Sequence, residues 1–384
     1  MHPYRLALTA VAIAALLPAT AGAAGTETEV AVPGPGTTLS VTAAAGQQND
    51  ISVDLSKSGY VVTDLRNLVK AGKGCVVVKR DTVTCTAAAP HVAEVSLGDR
   101  DDRFTGVGDL RMGVDDGAGD DVLTGGPGDE SFVGGTGADT VSGGPGWDSV
   151  SYAGRAAPVS VRLNGVADDG ESGEGDGIGG DVESIYGGGG DDVLKGTAAP
   201  QSLHGGDGDD TISGLDGSDW LYGDGDDDTL IGDGGDDRFE TFQVPDGADA
   251  MYGGSGRDHA HYRRRVDAVT IDLDGVADDG APGESDNVRA DVEDVTGGRG
   301  PDILTGSNLT DNTLRGAGDD DILSGLGGDD LLAGYGGADT LLGGLDDDKL
   351  SATDNVAGND SLDGDVGTDQ CDSDAGDPET GCEL

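Results

Sequence analysis

The residues of this chain best suited to chemistry are aspartates that recur mostly nine residues apart, each two places before an apolar residue. Numbered from its first glycine, the unit reads Gly-Gly-x-Gly-x-Asp-x-apolar-x, as in GGTGADTVS at 134–142. Twenty such units occur, with Asp at position six in seventeen and an apolar residue at position eight in all twenty. The three other residues at position six are Glu130, Gln201 and Asn312.

Position six is specified much more strictly than its neighbour. Position five is Asp in only ten of the twenty units and otherwise varies, as at Ala138, Trp147 and Arg257. A merely solvated acidic surface would not distinguish adjacent positions in this way, so we interpret the position-six carboxylates as ligands. The predicted metal ligands are Asp121, Asp139, Asp148, Asp192, Asp210, Asp219, Asp228, Asp237, Asp258, Asp302, Asp321, Asp330, Asp339, Asp348, Asp360 and Asp369.

Carboxylates repeated in this way require a counter-ion if the units stack. Neighbouring strand layers lie about 4.8 Å apart, and two aligned carboxylates at that spacing repel by about 0.9 kcal/mol even in bulk water. Calcium takes roughly six to eight oxygen ligands, which carboxylates and glycine-loop carbonyls can supply together. Magnesium requires a smaller octahedral shell, and the ligands of soft metals are missing from the unit. The sequence therefore predicts that the chain binds several Ca²⁺ ions.

The rest of each unit predicts the elements that position these carboxylates. Glycines at positions one, two and four permit the positive φ angles of a tight turn. The last three residues, such as Thr140, Val141 and Ser142, favour a short strand whose middle side chain points inward. A turn plus a strand, repeated, winds a solenoid in which each unit buries its apolar residue against its neighbours. Glycine at this density disfavours helix.

The units GGTGADTVS, GGDGDDTIS and DGAGDDVLT closely resemble the nonapeptide of hemolysin-type (RTX) calcium-binding repeats, over about residues 98–372. The resemblance implies an all-β fold, a right-handed parallel β-roll with eighteen residues per coil. It also implies calcium held between successive loops by position-six aspartates and backbone carbonyls. Glu130, Gln201 and Asn312 depart from the pattern, so sites that use them should be weakened or lost.

The remaining segments give the predicted organisation. Residues 1–23 read as a secretory signal peptide, and 24–97 alternate apolar and polar residues as a small N-terminal β cap would. Array 1 covers 98–151, insert 1 152–186, array 2 187–261, insert 2 262–296, array 3 297–372, and a C-terminal cap 373–384. The inserts copy each other at an offset of 110 residues. Two interpretations of their acidic loops stay open, a further cation site through Asp168, Asp169, Glu174 and Asp176, or an ordinary solvated excursion.

The composition restricts the classes of partner that the chain can bind. The chain has 75 acidic and 22 basic residues among 384, a formal net charge of −53. Such a surface lacks the basic patches that nucleic acid requires and disfavours anionic membranes. No segment after the signal peptide is apolar enough to span a bilayer. We therefore expect an extracellular protein whose partners are calcium ions; no protein or cell-surface partner is predicted.

Four cysteines fit an oxidising compartment. They allow three pairings, of which Cys75 with Cys85 and Cys371 with Cys382 would close short loops at opposite ends of the repeats. A zinc site at the cysteines is disfavoured, because the chain has no CxxC and no nearby histidine in ligand spacing.

No catalytic signature is present. The sequence has neither HExxH nor GxSxG, which removes the common zinc-protease and serine-hydrolase motifs, and we predict that the chain is not an enzyme. Two alternatives stay open, a repeat appendage of a secreted hydrolase and a calcium-stiffened adhesion or matrix module. His259 and His261 flank one strand residue and are expected to point outward, as a solvated strand edge or, less favourably, a transition-metal pair.

Overall fold

The computed structural model describes residues 27–32, 38–56, 59–86, 92–243 and 246–383. Within these ranges the chain is all-β, without a helix, and forms a parallel β-solenoid of about 15 turns. The all-β parallel solenoid expected from the repeats is thereby confirmed. The predicted signal peptide lies outside the described residues, and the described part contains no helix that could cross a membrane.

Among the described residues, eight strands precede the repeats and form the N-terminal cap. They are β1 (Glu27–Ala31), β2 (Leu39–Thr42), β3 (Asp50–Ser56), β4 (Gly59–Asp64), β5 (Leu68–Ala71), β6 (Cys75–Lys79), β7 (Thr82–Cys85) and β8 (Val92–Ser96). Strands β2 and β8 continue the first wall of the solenoid in parallel register, and β3 continues the second wall by pairing with the strand that follows β8. Beyond these, β1–β2, β3–β4, β4–β7 and β6–β7 pair antiparallel.

The first wall is one unbroken sheet of seventeen strands. Besides β1, β2, β5 and β8 it contains β10 (Arg111–Asp115), β12 (Glu130–Val133), β14 (Ser149–Ser151), β18 (Ser184–Tyr186), β20 (Ser202–Asp207), β22 (Trp220–Gly225), β24 (Arg238–Glu240), β26 (His259–His261), β29 (Asp294–Thr296), β31 (Thr313–Arg315), β33 (Leu331–Ala333), β35 (Lys349–Ala352) and β37 (Gln370–Ser373). The three arrays therefore share one continuous wall.

The second wall is divided into three sheets at the two inserts. The first sheet joins β3, β4, β6 and β7 to β9 (Arg103–Val107), β11 (Val122–Thr124), β13 (Thr140–Ser142) and β17 (Gly177–Ile178). The second contains β15 (Val159–Arg162), β16 (Gly170–Glu171), β19 (Val193–Lys195), β21 (Thr211–Asp216), β23 (Thr229–Gly234), β25 (Ala250–Ser255) and β28 (Asn287–Val288). The third contains β27 (Thr270–Asp272), β30 (Ile303–Thr305), β32 (Ile322–Gly327), β34 (Thr340–Leu345), β36 (Ser361–Val366) and β38 (Glu379–Thr380).

Register follows the two-unit coil. Leu203 pairs with Leu221, eighteen residues later, and Leu221 with Phe239. Phe239 then pairs with Ala260, because a twelve-residue interval places three extra residues in the turn. These position-eight side chains are fully buried and belong to one apolar cluster that runs from the N-terminal cap through all three arrays. Most strands of the arrays contribute a single core residue, so a coil is stable only against its neighbours.

The fourth position of the unit shows why glycine is required in the turns. Gly235 has φ +128°, and a Cβ there would lie 1.3 Å from the carbonyl oxygen of Gly217 in the preceding coil. No side chain fits a backbone approach this close. The glycine therefore permits the turns to stack at the strand spacing, which brings position six of successive coils into line.

Each insert leaves the regular winding in the same way. In insert 1, β15 pairs with β19 of the next coil, while the later strand β17 pairs with β13 of the coil before. The Asp169 carboxylate bridges this break, accepting the N–H of Arg162 (2.6 Å) and of Ile178 (3.0 Å). Asp279 repeats the arrangement in insert 2, with Asp272 and Val288 as donors.

Both ends carry the disulfides favoured by the sequence. Cys75–Cys85 closes the β6–β7 hairpin of the cap, and Cys371–Cys382 ties β37 to the end of the chain. The second bridge holds Glu383 where its carboxylate accepts the N–H of Asp369 (2.7 Å). The backbone N–H of Asp369, the last position-six residue, thus donates to a carboxylate of the following turn, as the position-six N–H groups inside the arrays do.

Candidate metal centre

Position-six carboxylates form a ladder that links each coil to the previous one. The backbone N–H of Asp121 donates to Asp139 Oδ1 (2.8 Å), and that of Asp192 donates to Asp210 Oδ1 (2.7 Å). The same bond recurs along both turn edges of the solenoid. It satisfies a buried backbone donor and fixes the orientation of the carboxylate. The ladder therefore uses one oxygen of each aspartate and leaves the other available.

The second carboxylate oxygen, Oδ2, is buried and has no hydrogen-bond partner among the described residues at fourteen of the sixteen predicted ligands. These are Asp121, Asp139, Asp148, Asp210, Asp219, Asp228, Asp237, Asp258, Asp321, Asp330, Asp339, Asp348, Asp360 and Asp369. Each of the fourteen residues is 2% exposed or less. Buried polar atoms are nearly always bonded, so a repeated unpartnered anion indicates a missing cationic ligand.

The unpartnered oxygens face spaces that only glycine leaves open. A Cβ on Gly205 would lie 2.0 Å from Asp210 Oδ2 and 2.6 Å from the carbonyl oxygen of Gly223 in the next coil. A Cβ on Gly325 would lie 2.2 Å from Asp330 Oδ2. A carboxylate oxygen and a backbone carbonyl thus converge beside the first glycine of the unit. Calcium binds such oxygens at about 2.3–2.6 Å, so the residues present fit this ion.

Burial and mutual repulsion make these carboxylates poor acids. Burial raises the pKa of Asp228 to about 9, with the charges of Asp249 and Asp210 adding to the rise. Burial likewise raises the pKa of Asp321 to about 8 and that of Asp139 to about 7. Such groups hold a proton near neutral pH unless a cation takes its place. The electrostatics therefore favour a bound cation at Asp139, Asp228 and Asp321.

Successive unpartnered carboxylates line up in runs, which we call carboxylate strips. A strip ends where position six lacks a free oxygen or where an insert intervenes. The longest strips are Asp219, Asp237 and Asp258; Asp321, Asp339 and Asp360; and Asp330, Asp348 and Asp369. Shorter strips pair Asp121 with Asp139, Glu130 with Asp148 and Asp210 with Asp228.

Two predicted ligands differ from the rest. In Asp192, Oδ1 accepts the N–H of Val159 (2.7 Å) and Oδ2 that of Gly188 (2.6 Å). Asp302 repeats this after insert 2, with Val269 and Gly298 as donors. In each case the strand from the insert supplies the donor to Oδ1, and the second glycine of the aspartate's own unit supplies the donor to Oδ2. These two aspartates anchor the start of a strip.

The amide residues at position six satisfy themselves locally. The Gln201 side chain accepts the N–H of Thr197 (2.9 Å) and donates to its hydroxyl (2.6 Å). Asn312 accepts the N–H of Ser307 (2.7 Å) and donates to Glu293 O (3.2 Å). Neither amide leaves the buried, unpartnered oxygen that the fourteen aspartates have, which is the physical reason to expect weaker sites there.

Glu130 differs from both amides. Its Oε2 accepts the N–H of Gly126 (2.7 Å), while Oε1 is buried without a partner among the described residues. The longer side chain therefore still presents one free oxygen beside Asp148.

Sequence reasoning missed two acidic residues with the same character. Asp102 accepts the N–H of Asn49 (2.5 Å) at Oδ1, and its Oδ2 is buried and unpartnered within the described part of the chain. Asp116 is fully buried, and its Oδ2 is unpartnered as well. Asp102 lacks the preceding glycine pair of a unit, and Asp116 occupies the place of a first glycine. The apolar Phe104, two residues after Asp102, was the available signal for the first.

The hydrogen bonds of the position-five aspartates explain why other residues can replace them. The N–H of Asp347 donates to Asp329 Oδ1 (3.0 Å) and that of Asp227 to Asp209 Oδ1 (3.2 Å), both on the exposed surface. Water can replace such an acceptor, so Ala, Trp or Arg is tolerated at this position.

The acidic loop of insert 1 is occupied by internal partners. Asp176 accepts the N–H of Asp139 (2.9 Å) and the hydroxyl of Tyr152 (2.9 Å). Glu174 pairs with the Arg155 guanidinium (2.9 Å), which also donates to the carbonyl of Gly135. The Asp168 carboxylate lies at the surface beside Arg162. These contacts favour a structural role for the loop over a further cation site.

Insert 2 contains the equivalent arginine in a more deeply buried state, which gives a first prediction. The Arg265 guanidinium, 1% exposed, pairs with Asp246 and Glu284, both at 2.5 Å. The substitution Arg265→Met should lower the free energy of unfolding by about 3–5 kcal/mol, because it leaves two buried carboxylates unpaired. Denaturant unfolding at saturating calcium measures the change.

The matched control is Arg162→Met, since Arg162 is exposed and lies 3.5 Å from Asp168. Exposed pairs contribute about 0–1 kcal/mol. Equal losses for the two variants would show that the buried arginine is not a required counter-ion.

The histidine pair is not a solvated strand edge, so that expectation is wrong. His261 is 9% exposed, and its Nδ1 lies 3.2 Å from Glu240 Oε2. The His259 Nε2 lies 2.8 Å from Thr296 Oγ1, and burial lowers the pKa of His259 to about 3. Side chains of the flanking coils cover both rings. The clusters of three or more metal-type ligands found among the described residues do not include these histidines.

Comparison with known protein families gives a match to the family described as RTX calcium-binding nonapeptide repeat (4 copies). The matched residues are 114–141, 124–154, 179–198, 204–239, 246–260, 310–350 and 357–378. They fall in all three arrays and cover both long strips of array 3. A search of curated protein sequences gives no match to the chain.

Proposed function

The chain is an RTX calcium-binding repeat protein, and from that premise we propose that it is secreted, folds when it binds calcium, and has no catalytic role. Its repeats bind several Ca²⁺ ions. The observation that best supports the proposal is the recurrence of a buried carboxylate oxygen without a partner, coil after coil.

The ions would be held by Oδ2 of the fourteen unpartnered aspartates together with carbonyl oxygens of the neighbouring turns. Bound calcium supplies positive charge that neutralises stacked carboxylates and links successive coils. The protein's own part is to orient each carboxylate through the Oδ1 ladder and to leave room for the ion with a first glycine. Asp192 and Asp302 position the strip that follows them.

Secretion is supported by the signal-peptide pattern at 1–23 and by two disulfides, which persist in oxidising compartments. Calcium modules that work outside cells have dissociation constants of about 10⁻⁴–10⁻³ M. A protein that folds only at such calcium concentrations would reach its stable form after export.

Removal of one strip tests the assignment of the ligands. The triple variant Asp330→Asn, Asp348→Asn, Asp369→Asn keeps every Oδ1 acceptor and removes three buried charges. We expect it to bind fewer calcium ions per chain than the unaltered protein, measured by equilibrium dialysis with metal analysis.

The control is Asp329→Asn with Asp347→Asn, which neutralises exposed position-five residues in the same turns. It should bind as many ions as the unaltered chain. If the triple variant retains the full number of ions, or if both variants lose the same number, position six is not the ligand.

A further inference from the structure

At the start of the roll, one turn edge contains a third buried carboxylate, that of Asp116, beside the two position-six carboxylates of Asp121 and Asp139. Asp116, Asp121 and Asp139 offer carboxylate oxygens that all lie within 4.8 Å of one another. The three residues are 0%, 1% and 2% exposed, respectively. At each of them Oδ2 has no partner within the described part of the chain. Unpartnered, fully buried anions aimed at one another indicate a bound cation.

The third carboxylate is present because Asp116 replaces the usual glycine at position one of its unit. In the regular units this position is glycine, and a Cβ there would lie against the Oδ2 of its own unit, as at Gly214 beside Asp219 (2.3 Å). Asp116 places a side chain at this point, and its Oδ1 accepts the N–H of Gly117 (2.7 Å). One carboxylate oxygen is thereby fixed by the turn, and the other is left for a ligand.

The surrounding backbone is rigid. The turn of Asp116 is held to the coils on either side, since Ala118 N–H donates to Gly98 O (3.0 Å) and Thr136 N–H to Gly117 O (2.8 Å). A Cβ on Gly135 would lie 2.4 Å from Asp116 Oδ1, so no side chain could enter from the next coil. Site rigidity and ligand charge are the two properties that raise calcium affinity in proteins.

We propose that Asp116, Asp121 and Asp139 form a tri-carboxylate calcium site that fills before the other sites and starts winding of the roll at its N-terminal end. The proposal rests on the proposed calcium-binding function. Three charges at this site attract the ion more strongly than the one or two of a regular strip position. The site also lies beside the cap, whose strands β3 and β8 template β9 and β10.

The test is calorimetric calcium titration of the full chain and of Asp116→Gly, which restores the regular glycine. The unaltered protein should show an early binding phase at least tenfold tighter than the rest, and Asp116→Gly should lose that phase while retaining the later ones. At sub-saturating calcium, hydrogen exchange should show protection of residues 103–142 before residues 303–373.

Two further variants keep the result decisive. Asp116→Asn retains the side-chain shape and should also lose the early phase. Asp120→Asn removes an exposed charge whose Oδ1 accepts the N–H of Ala138 (3.0 Å) in the next coil, and it should retain that phase. An early phase unchanged in Asp116→Gly, or lost equally in Asp120→Asn, overturns the proposal. Absence of calcium binding in the unaltered chain would instead refute the proposed function itself.

Discussion

Calcium removal is expected to unfold the repeat arrays while the N-terminal cap keeps its strands. Stacked carboxylates about 4.8 Å apart repel by about 3 kcal/mol per pair at the effective dielectric of a protein surface. Against this, each three-residue strand buries only one apolar side chain, worth about 1.5–3 kcal/mol. Repulsion between the two pairs of a three-carboxylate strip, about 6 kcal/mol, is therefore comparable to what the thin core supplies, and the conformational entropy lost by the glycine-rich turns adds to the cost of folding.

The cap differs because its apolar residues are packed without carboxylate strips. Val30, Leu39, Val53 and Val62 are buried, and its hairpin β6–β7 carries a disulfide. Circular dichroism should show most of the β signal lost on chelation and regained with millimolar calcium. Hydrogen exchange should show continued protection in β3, β4 and β7.

Magnesium at the same concentration is the matched control, and it should restore little of the signal because it keeps its water shell. A β signal that chelator leaves unchanged, or that magnesium restores fully, would contradict the coupling of folding to calcium.

Acid is expected to replace calcium in part. The pKa values of buried strip residues are raised in the folded state, to about 9 for Asp228 and about 8 for Asp321, from an ordinary value of 3.8. The folded form therefore binds these protons more tightly than the unfolded chain does. Their contribution to stability is full below about pH 4 and is lost as the pH rises through the folded values.

Calcium-free protein, prepared over a chelating resin, should therefore gain β structure as the pH falls from 9 to 5. Thermal unfolding followed by circular dichroism at each pH measures this, and the transition temperature should rise on acidification. At saturating calcium the trend should reverse, because protons compete with the ion for the same oxygens. A calcium-free chain that loses structure steadily below pH 7 would refute the assigned role of the strips.

The solenoid and its carboxylate ladder were predictable because they depend on local periodicity. Leu203, Leu221 and Phe239 follow from the position-eight rule, and Asp210 and Asp228 from the position-six rule. Each such residue contacts the equivalent residue of the next coil, so the spacing of the repeats in the sequence determines which residues are in contact.

Features that depend on order along the solenoid were not predictable. Strands β15 and β17 pair with later and earlier coils respectively, which reverses their sequence order. That reversal places the N–H of Val159 on Oδ1 of Asp192, whereas Oδ1 of Asp210 accepts the N–H of a position-six residue, a difference that no residue type reveals. Asp116 was not predicted as a ligand, because in the sequence an aspartate at the first position indicates only that the usual glycine is missing.

The most direct measurement of the central claim is a calcium titration by calorimetry with circular dichroism recorded in parallel on the same chain. Several ions should bind per molecule, and the β signal should appear over the calcium range in which they bind. Binding of no ions, or a β signal already complete in the calcium-free chain at neutral pH, would contradict the account.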